Sequence, residues 1–259
     1  MKYYKPLVIS LILLLAAVGC APRLREPAIA AAPTQPTETE EMVKKSTVGL
    51  VAEDGTKIAG VFYSPAGVRP AVLLLHMLDR SKEDWDDFAT ALVERGFAAL
   101  AIDLRGHGQS EGNWRDFGEA DFRAMELDTK AAVAWLREQR SVDRERIAIV
   151  GASIGANTAL NYASRDSAIK AVALLSPGLS YRGVSTESTI LSYDRPLLIV
   201  ASKGDDYSAS SSRELYARSP LAPEQKMLVI YSGTAHGTKM FIAEPALEGL
   251  LLDWLEGKL

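Results

Sequence analysis

Residues Ile147-Ala148-Ile149-Val150 make an uninterrupted apolar run of β-forming type, which meets Gly151-Ala152-Ser153-Ile154-Gly155 and then helix-forming residues with no spacer between them. A strand that is continuously apolar has both faces buried, the condition of a strand inside a parallel sheet covered by helices. Turning such a strand directly into a helix forces the corner residue into strained backbone, and flanking glycines let neighbouring chain pass close enough for the corner to form. The corner residue is Ser153. Its hydroxyl would stand at the sheet edge, facing the free N–H groups and partial positive charge of the helix that follows. Fixed Gly, Ser and Gly at this spacing recur by chance in roughly one chain in ten of this length, so the motif gains its meaning from context.

The rest of the chain repeats the alternation of strand and helix. Runs at 71–76, 97–103, 146–151, 171–175, 197–202 and 227–231 read as strands, most of them nearly continuous in apolar residues, with amphipathic stretches between them. Ahead of them, 47–51 and 57–63 flank Glu53-Asp54-Gly55, a hairpin signal that predicts two leading antiparallel strands. Trp85, Phe88, Ala89 and Leu92 fall on one helical face behind a cap expected at Ser81, and Phe122, Met125, Thr129, Ala132 and Leu136 fall on another. Leu247, Leu250, Leu251 and Trp254 mark a closing helix. These stripes read as core, and 259 residues that are 47% hydrophobic suffice to fill it. The expectation is an α/β fold with a mostly parallel sheet of about eight strands and helices on both faces. Only 177–194 offers room for a cap, and that segment is short and polar.

Several function classes are excluded at this level. A net charge of −4 with no run of Lys and Arg among aromatics argues against nucleic acid. There is no H-E-x-x-H, no C-x-x-C and no clustering of histidines, so no metal is expected. Gly106-His107-Gly108-Gln109-Ser110-Glu111-Gly112 departs from the G-x-G-x-x-G spacing, and neither a dinucleotide nor any other cofactor is expected.

The first residues belong to a different argument. Lys2 and Lys5 precede an apolar run at 7–18 that is short for a membrane span and ends in small residues before Cys20, the chain's one cysteine. A single cysteine forms no intramolecular disulfide, and at a signal boundary lipidation explains it better than packing does. Ala17-Val18-Gly19-Cys20 resembles the lipobox of bacterial lipoproteins. That resemblance implies a signal peptide at 1–19 and a mature chain that begins at an acylated Cys20. Residues 20–43, rich in Pro, Thr, Ala and Glu and without a periodic apolar face, would be a flexible lipid-anchored tether, and 44–259 the catalytic domain. Ala21 stands where Asp would favour the inner membrane, so the implied location is the bacterial cell envelope, at the outer membrane facing the periplasm.

A serine nucleophile needs a base to take its proton and a carboxylate to orient that base and stabilise it as a cation. Three histidines are available: His76, His107 and His236. His236 lies in Gly233-Thr234-Ala235-His236-Gly237, just past the last expected strand, where a loop would bring it over Ser153; it is the expected base. The acid should follow the 197–202 strand, in Lys203-Gly204-Asp205-Asp206-Tyr207. Asp205 is favoured because the preceding glycine lets the chain fold back, and Asp206 is the alternative.

Gly151-Ala152-Ser153-Ile154-Gly155, an acid near Asp205 and Ala235-His236-Gly237, in the order Ser, Asp, His, resemble the α/β-hydrolase superfamily over 47–259. Leu73-Leu74-Leu75-His76-Met77 stands where that family has its oxyanion loop, and Asp103-Leu104-Arg105-Gly106-His107-Gly108-Gln109-Ser110 is similar to its D-x-R-G-x-G-x-S turn. The lack of a large cap and His76-Met77 ahead of Asp84-Trp85 look closest to dienelactone-hydrolase-like esterases. Many of those use cysteine as nucleophile, and serine at 153 favours ordinary ester cleavage. The resemblance implies the α/β-hydrolase fold, an oxyanion hole made by the backbone N–H groups of Met77 and Ile154, a loop-shaping role for His76, and a role for His107 in bracing the Arg105 turn. The expected function is cleavage of a small carboxylic ester through an acyl-enzyme on Ser153. An amidase or peptidase with the same triad is the enzymatic rival, and a lipid-anchored binding protein without turnover the rival from another class. Tyr181, Tyr193, Tyr207 and Trp114 are expected near an open pocket mouth.

Overall fold

The computed structural model describes Met1 and residues 43–259; the signal segment, Cys20 and the tether as far as residue 42 lie outside the described residues. The chain opens with β1 (Lys44–Val51), β2 (Lys57–Ser64) and β3 (Arg69–Leu75), followed by α1 (Asp86–Glu94), β4 (Ala98–Ile102), α2 (Glu119–Arg123) and α3 (Met125–Glu138). The corner at Ser153 joins β5 (Val142–Ala152) to α4 (Ile154–Arg165), and β6 (Ile169–Leu175) leads into a small hairpin of β7 (Ser180–Tyr181) and β8 (Val184–Ser185). Then come β9 (Leu197–Ser202), α5 (Asp206–Arg218), β10 (Lys226–Tyr231), α6 (Met240–Ala243) and α7 (Ala246–Glu256).

Eight strands form one sheet in the order β1-β2-β4-β3-β5-β6-β9-β10. β2 pairs antiparallel with both β1 and β4, and every other neighbouring pair is parallel. The period-2 geometry of a strand sorts the apolar run of β3 between two cores. Leu73 and Leu75 enter one cluster with Leu100, Ile149, Leu160 and Leu136, under α3 and α4. Val72 and Leu74 enter the other with Val150, Phe88, Leu92, Leu247 and Leu251, under α1 and α7. Both faces of the central strands are thereby closed to water, which is why β3, β4, β5 and β6 need apolar residues at consecutive positions. The expected stripes of the first two helices are buried, Trp85, Met125 and Leu136 fully, whereas in the closing helix Leu247 and Leu251 are buried but Leu250 and Trp254 only partly, with Leu252 and Leu255 buried beside them.

One local expectation needs correction. Ser81 stands at the start of a short 3₁₀ turn, Lys82–Trp85, but its side chain makes no capping hydrogen bond. The Asp84 N–H, a donor such a cap would take, goes to the Ser81 backbone carbonyl instead at 3.2 Å, while the neighbouring Lys82 N–H donates to the Asp103 carboxylate at 2.8 Å. The polar 177–194 segment also carries more order than a simple loop, since it holds the β7–β8 hairpin and a 3₁₀ turn at Thr189–Leu191. Among the described residues no helix is long and apolar enough to cross a membrane.

Candidate active site

Because β3, β5, β6, β9 and β10 are parallel, their carboxyl ends lie along one edge of the sheet, the edge where open α/β sheets bind ligands. Ser153 follows β5 directly, with φ 54° and ψ −118°, and is 5% exposed. The left-handed φ is costly for a residue with a Cβ. Hydrogen bonds on both sides hold it: its N–H donates to the Leu175 carbonyl at 2.8 Å, and its own carbonyl accepts from the N–H groups of Ala156 and Asn157. At Gly155 a Cβ would stand 2.5 Å from the His76 carbonyl oxygen and 2.6 Å from that of Leu75. Only glycine lets the first turn of α4 seat against the end of β3, and this contact brings the Met77 segment beside Ile154.

His236 stands at the start of a 3₁₀ turn, Gly237–Lys239, after β10. Its Nδ1–H donates to Asp205 Oδ2 at 2.6 Å, a charge-assisted bond that leaves Nε2 free to accept a proton. The Ser208 hydroxyl lies 3.3 Å from the same Nδ1. Asp206, the alternative acid, is exposed as the first residue of α5, and no hydrogen bond joins it to His236 among the described residues. Ser153 and His236 line one cavity of about 360 Å³ together with Met77, Leu78, Ile154 and Tyr181. No hydrogen bond joins the two directly among the described residues; in ligand-free enzymes this contact is commonly long and tightens on substrate.

His76 is fully buried and holds both ring nitrogens in hydrogen bonds. The Leu104 N–H donates to its Nε2 at 2.9 Å, so the proton sits on Nδ1, which donates to the Met77 carbonyl at 2.7 Å. Burial holds the ring well below the usual imidazole pKa, and a neutral ring is what these two bonds require. His76 thus ties the loop after β3 to the end of β4. His107 lies 4.9 Å from it, ring centre to ring centre; its Nδ1 bonds the Arg105 carbonyl at 3.0 Å, and its ring stacks on Trp114 with an interplanar angle of 7°. The turn between them is built on charge. The buried Asp103 carboxylate accepts from Lys82 Nζ and from the Gln109 N–H, and Arg105 is held between Asp128 and Asp54.

Of the aromatic residues expected at the pocket mouth, Tyr181 lines the cavity. Tyr193 does not line the cavity; it is fully buried in the core cluster that includes Leu160 and Leu197. Tyr207 packs behind Tyr181 at 5.4 Å, and Trp114 lines a separate cleft with His107 and Arg115. Two further serines enter the picture. Ser208 is described above. Ser176, at the end of β6, adopts φ 51° and accepts the Gly237 N–H at 2.9 Å, which anchors the turn that carries His236. The sequence signal for Ser176 was its place ahead of Pro177-Gly178 at the end of an apolar run, a turn like that at Ser153.

The similarities to known proteins match this geometry. A family model described as serine aminopeptidase, S33, matches residues 66–194. An uncharacterized protein of Mycobacterium tuberculosis is 29% identical over 209 residues, covering 73% of this chain and 71% of its own. Among solved structures, an esterase of Pyrococcus furiosus superposes with a TM-score of 0.70 at 20% identity, over 86% of this chain and 94% of that one. A dienelactone hydrolase of Anabaena variabilis superposes with a TM-score of 0.69 at 20% identity, over 84% of this chain and 99% of that one. With the eight-stranded sheet, the strained serine corner after β5 and these likenesses together, the chain belongs to the α/β-hydrolase superfamily.

Proposed function

We propose that the protein is a serine esterase that cleaves small carboxylic esters through an acyl-enzyme on Ser153, with His236 as base and acid and Asp205 as its orienting carboxylate. The observation that carries this reading is the 2.6 Å bond from His236 Nδ1 to Asp205, with His236 and the strained Ser153 lining the same cavity. His236 Nε2 takes the proton from Ser153 Oγ as that oxygen bonds the ester carbonyl carbon. The carbonyl oxygen becomes an anion and accepts hydrogen bonds from the Met77 and Ile154 N–H groups. Loss of one such donor costs about 2.7 to 4 kcal/mol of transition-state stabilisation. Collapse breaks the bond to the alcohol oxygen, which leaves with the proton held on Nε2. Water, deprotonated by the same nitrogen, then attacks the acyl-enzyme and releases the acid.

The esterase described from Pyrococcus furiosus supports the ester reading, and the serine aminopeptidase description of the family model supports an amide as the second substrate class. Both are tested together. The catalytic domain is treated with a fluorophosphonate probe, the adduct is mapped, and p-nitrophenyl acetate and butyrate are compared with amino-acid p-nitroanilides. Adduct at Ser153 that is lost in His236→Ala, with esters turned over faster than anilides, is the expected result. Absence of label at Ser153 would remove the mechanism. We further propose that the protein is lipid-anchored in the bacterial envelope through Cys20, a reading that rests on the lipobox resemblance. Cys20→Ser should move the full-length protein from the membrane to the soluble fraction, and unchanged fractionation would reject the anchor.

A further inference from the structure

We infer that Tyr181, carried on a pinned hairpin, is the fixed wall that sets how long an ester group the cavity accepts; the inference rests on the esterase reading of this site. The β7–β8 hairpin is fastened from two sides. On the side of the nucleophile helix, Asn157 Nδ2 donates to the Val184 carbonyl at 2.8 Å, its Oδ1 accepts the Gly178 N–H at 3.1 Å, and Asn161 Nδ2 donates to the Ser185 carbonyl at 3.0 Å. On the side of α5, the Tyr207 hydroxyl accepts from the Ser180 N–H and donates to the Ser180 carbonyl, at 3.0 and 2.9 Å. A strap tied this way at both ends does not swing aside as an opening lid does.

Tyr181 is fixed within that strap. Its hydroxyl lies 2.9 Å from Ser208 Oγ and 3.2 Å from the Ser176 carbonyl, to which it donates. Its ring stands edge-on to the His236 ring, with centroids 6.1 Å apart. A Cβ on Gly178 would stand 2.7 Å from the Tyr181 ring and 2.8 Å from the Tyr207 ring, so the chain at Gly178 is packed directly against the Tyr181 ring. Held through its hydroxyl and packed against the chain at Gly178, the ring is fixed in place. A cavity of about 360 Å³ bounded by such a wall fits short esters.

The test compares wild type with Tyr181→Ala, Tyr181→Phe and Tyr181→Trp on two ester series, each read as kcat/KM. One lengthens the acyl chain on a p-nitrophenyl leaving group from acetate to octanoate; the other lengthens the alcohol of an alkyl acetate from methyl to hexyl. In Tyr181→Ala, the long-to-short ratio should rise at least tenfold in one or both series, on the scale by which added methylenes are discriminated in a closed pocket. Tyr181→Trp should lower that ratio. Tyr181→Phe keeps the ring and should keep the wild-type ratio within about threefold, even where loss of the hydroxyl lowers turnover on all esters alike. Circular dichroism and thermal unfolding verify that each variant is folded, and a Tyr181→Ala that fails to fold leaves the Trp and Phe variants to decide. Unchanged ratios in both series, or a Phe ratio that moves as the Ala ratio does, would overturn the wall. Wild type with turnover of no ester would instead remove the esterase reading and this inference with it.

Discussion

Replacing Asp205 by asparagine tests the proposed catalytic arrangement at its most sensitive bond. In the wild type the carboxylate accepts the Nδ1–H of His236 at 2.6 Å, with Asp205 and His236 side chains 15% and 34% exposed. Asparagine removes the negative charge that would stabilise the imidazolium, and its amide NH₂ can turn toward Nδ1. In that orientation Nδ1 becomes an acceptor, the ring proton moves to Nε2, and Nε2 can no longer take the Ser153 proton. In a serine protease the equivalent change lowers kcat by about 10⁴. Here the Ser208 hydroxyl, 3.3 Å from Nδ1, offers a second acceptor that preserves part of the working tautomer. The expected loss is therefore nearer 10³ in kcat/KM, about 4 kcal/mol at 1.36 kcal/mol per decade. Asp205→Asn with Ser208→Ala should fall further, toward 10⁴. Asp206→Asn touches only an exposed charge in the first turn of α5, worth about 0.3 to 1 kcal/mol of helix stability, and should leave kcat/KM within about threefold. The assay is p-nitrophenyl acetate hydrolysis, with fluorophosphonate titration to count competent sites. An Asp205→Asn variant within tenfold of wild type, or an Asp206→Asn variant that loses more, would refute the reasoning.

Gly155→Ala places a Cβ 2.5 Å from the His76 carbonyl, so the loop bearing Met77 must shift; overpacking of this kind costs about 1 to 3 kcal/mol, and esterase kcat should fall with urea stability, whereas unaltered activity would contradict the close approach. Asn157→Leu strips partners from the Val184 carbonyl and the Gly178 N–H in a buried setting, with an expected loss of about 1 to 3 kcal/mol in urea unfolding; a loss below about 0.5 kcal/mol would mean the hairpin is held elsewhere. His76 has a folded pKa below its ordinary 6.5, so the unfolded chain takes up the proton first as pH falls. Its contribution is complete above that ordinary value and is lost on acidification toward the folded pKa. Urea midpoints should therefore drop from pH 7 to pH 5 more steeply in wild type than in His76→Gln, and parallel slopes would remove His76 from the linkage. A residual slope is expected in the variant, because burial lowers the pKa of His107 as well.

The strand and helix pattern was legible because it follows from burial. Residues 197–202 read as a strand from their apolar continuity, and β9 occupies Leu197–Ser202. Strand β5 begins at Val142, four residues before the expected 146, since half-buried Asp143 and exposed Arg144 and Glu145 carry polar side chains that no apolar pattern marks. The β7–β8 hairpin was missed for a related reason. Two-residue strands leave no periodicity, and Arg182 at φ 51° occupies a turn position that usually announces itself with Asn or Gly. At the site, the sequence order Ser153, Asp205, His236 was readable from the strand ends that precede each residue. Asp205 was favoured over Asp206 from the glycine before it, and the bond to His236 falls on Asp205. Ser208 and the hydroxyl of Tyr181 were beyond reach, and at Ser176 only the turn was marked, by Pro177-Gly178, because each acts through a tertiary hydrogen bond between residues at least 27 positions apart, apart from the local Tyr181 bond to Ser176.

The strain at Ser153 has a mechanical origin in the sheet itself. Ser153 and Ser176 follow neighbouring parallel strands, β5 and β6, and both adopt φ near +50°. In each case the strained residue donates its own N–H to the next strand over: Ser153 to the Leu175 carbonyl at 2.8 Å, and Ser176 to the Val200 carbonyl at 2.7 Å. The ladder thus continues one residue past the point where the chain has begun to turn, and the pull of that last bond holds the backbone in a conformation costing about 1 to 3 kcal/mol. A turn free of the ladder would relax to an ordinary φ and swing its side chain away. The two corners serve one site, because the strained Ser176 presents the hydroxyl that anchors the His236 turn, while the strained Ser153 presents its own hydroxyl to the cavity. Ser153 and the turn that carries His236 are therefore anchored by the same device on adjacent strands.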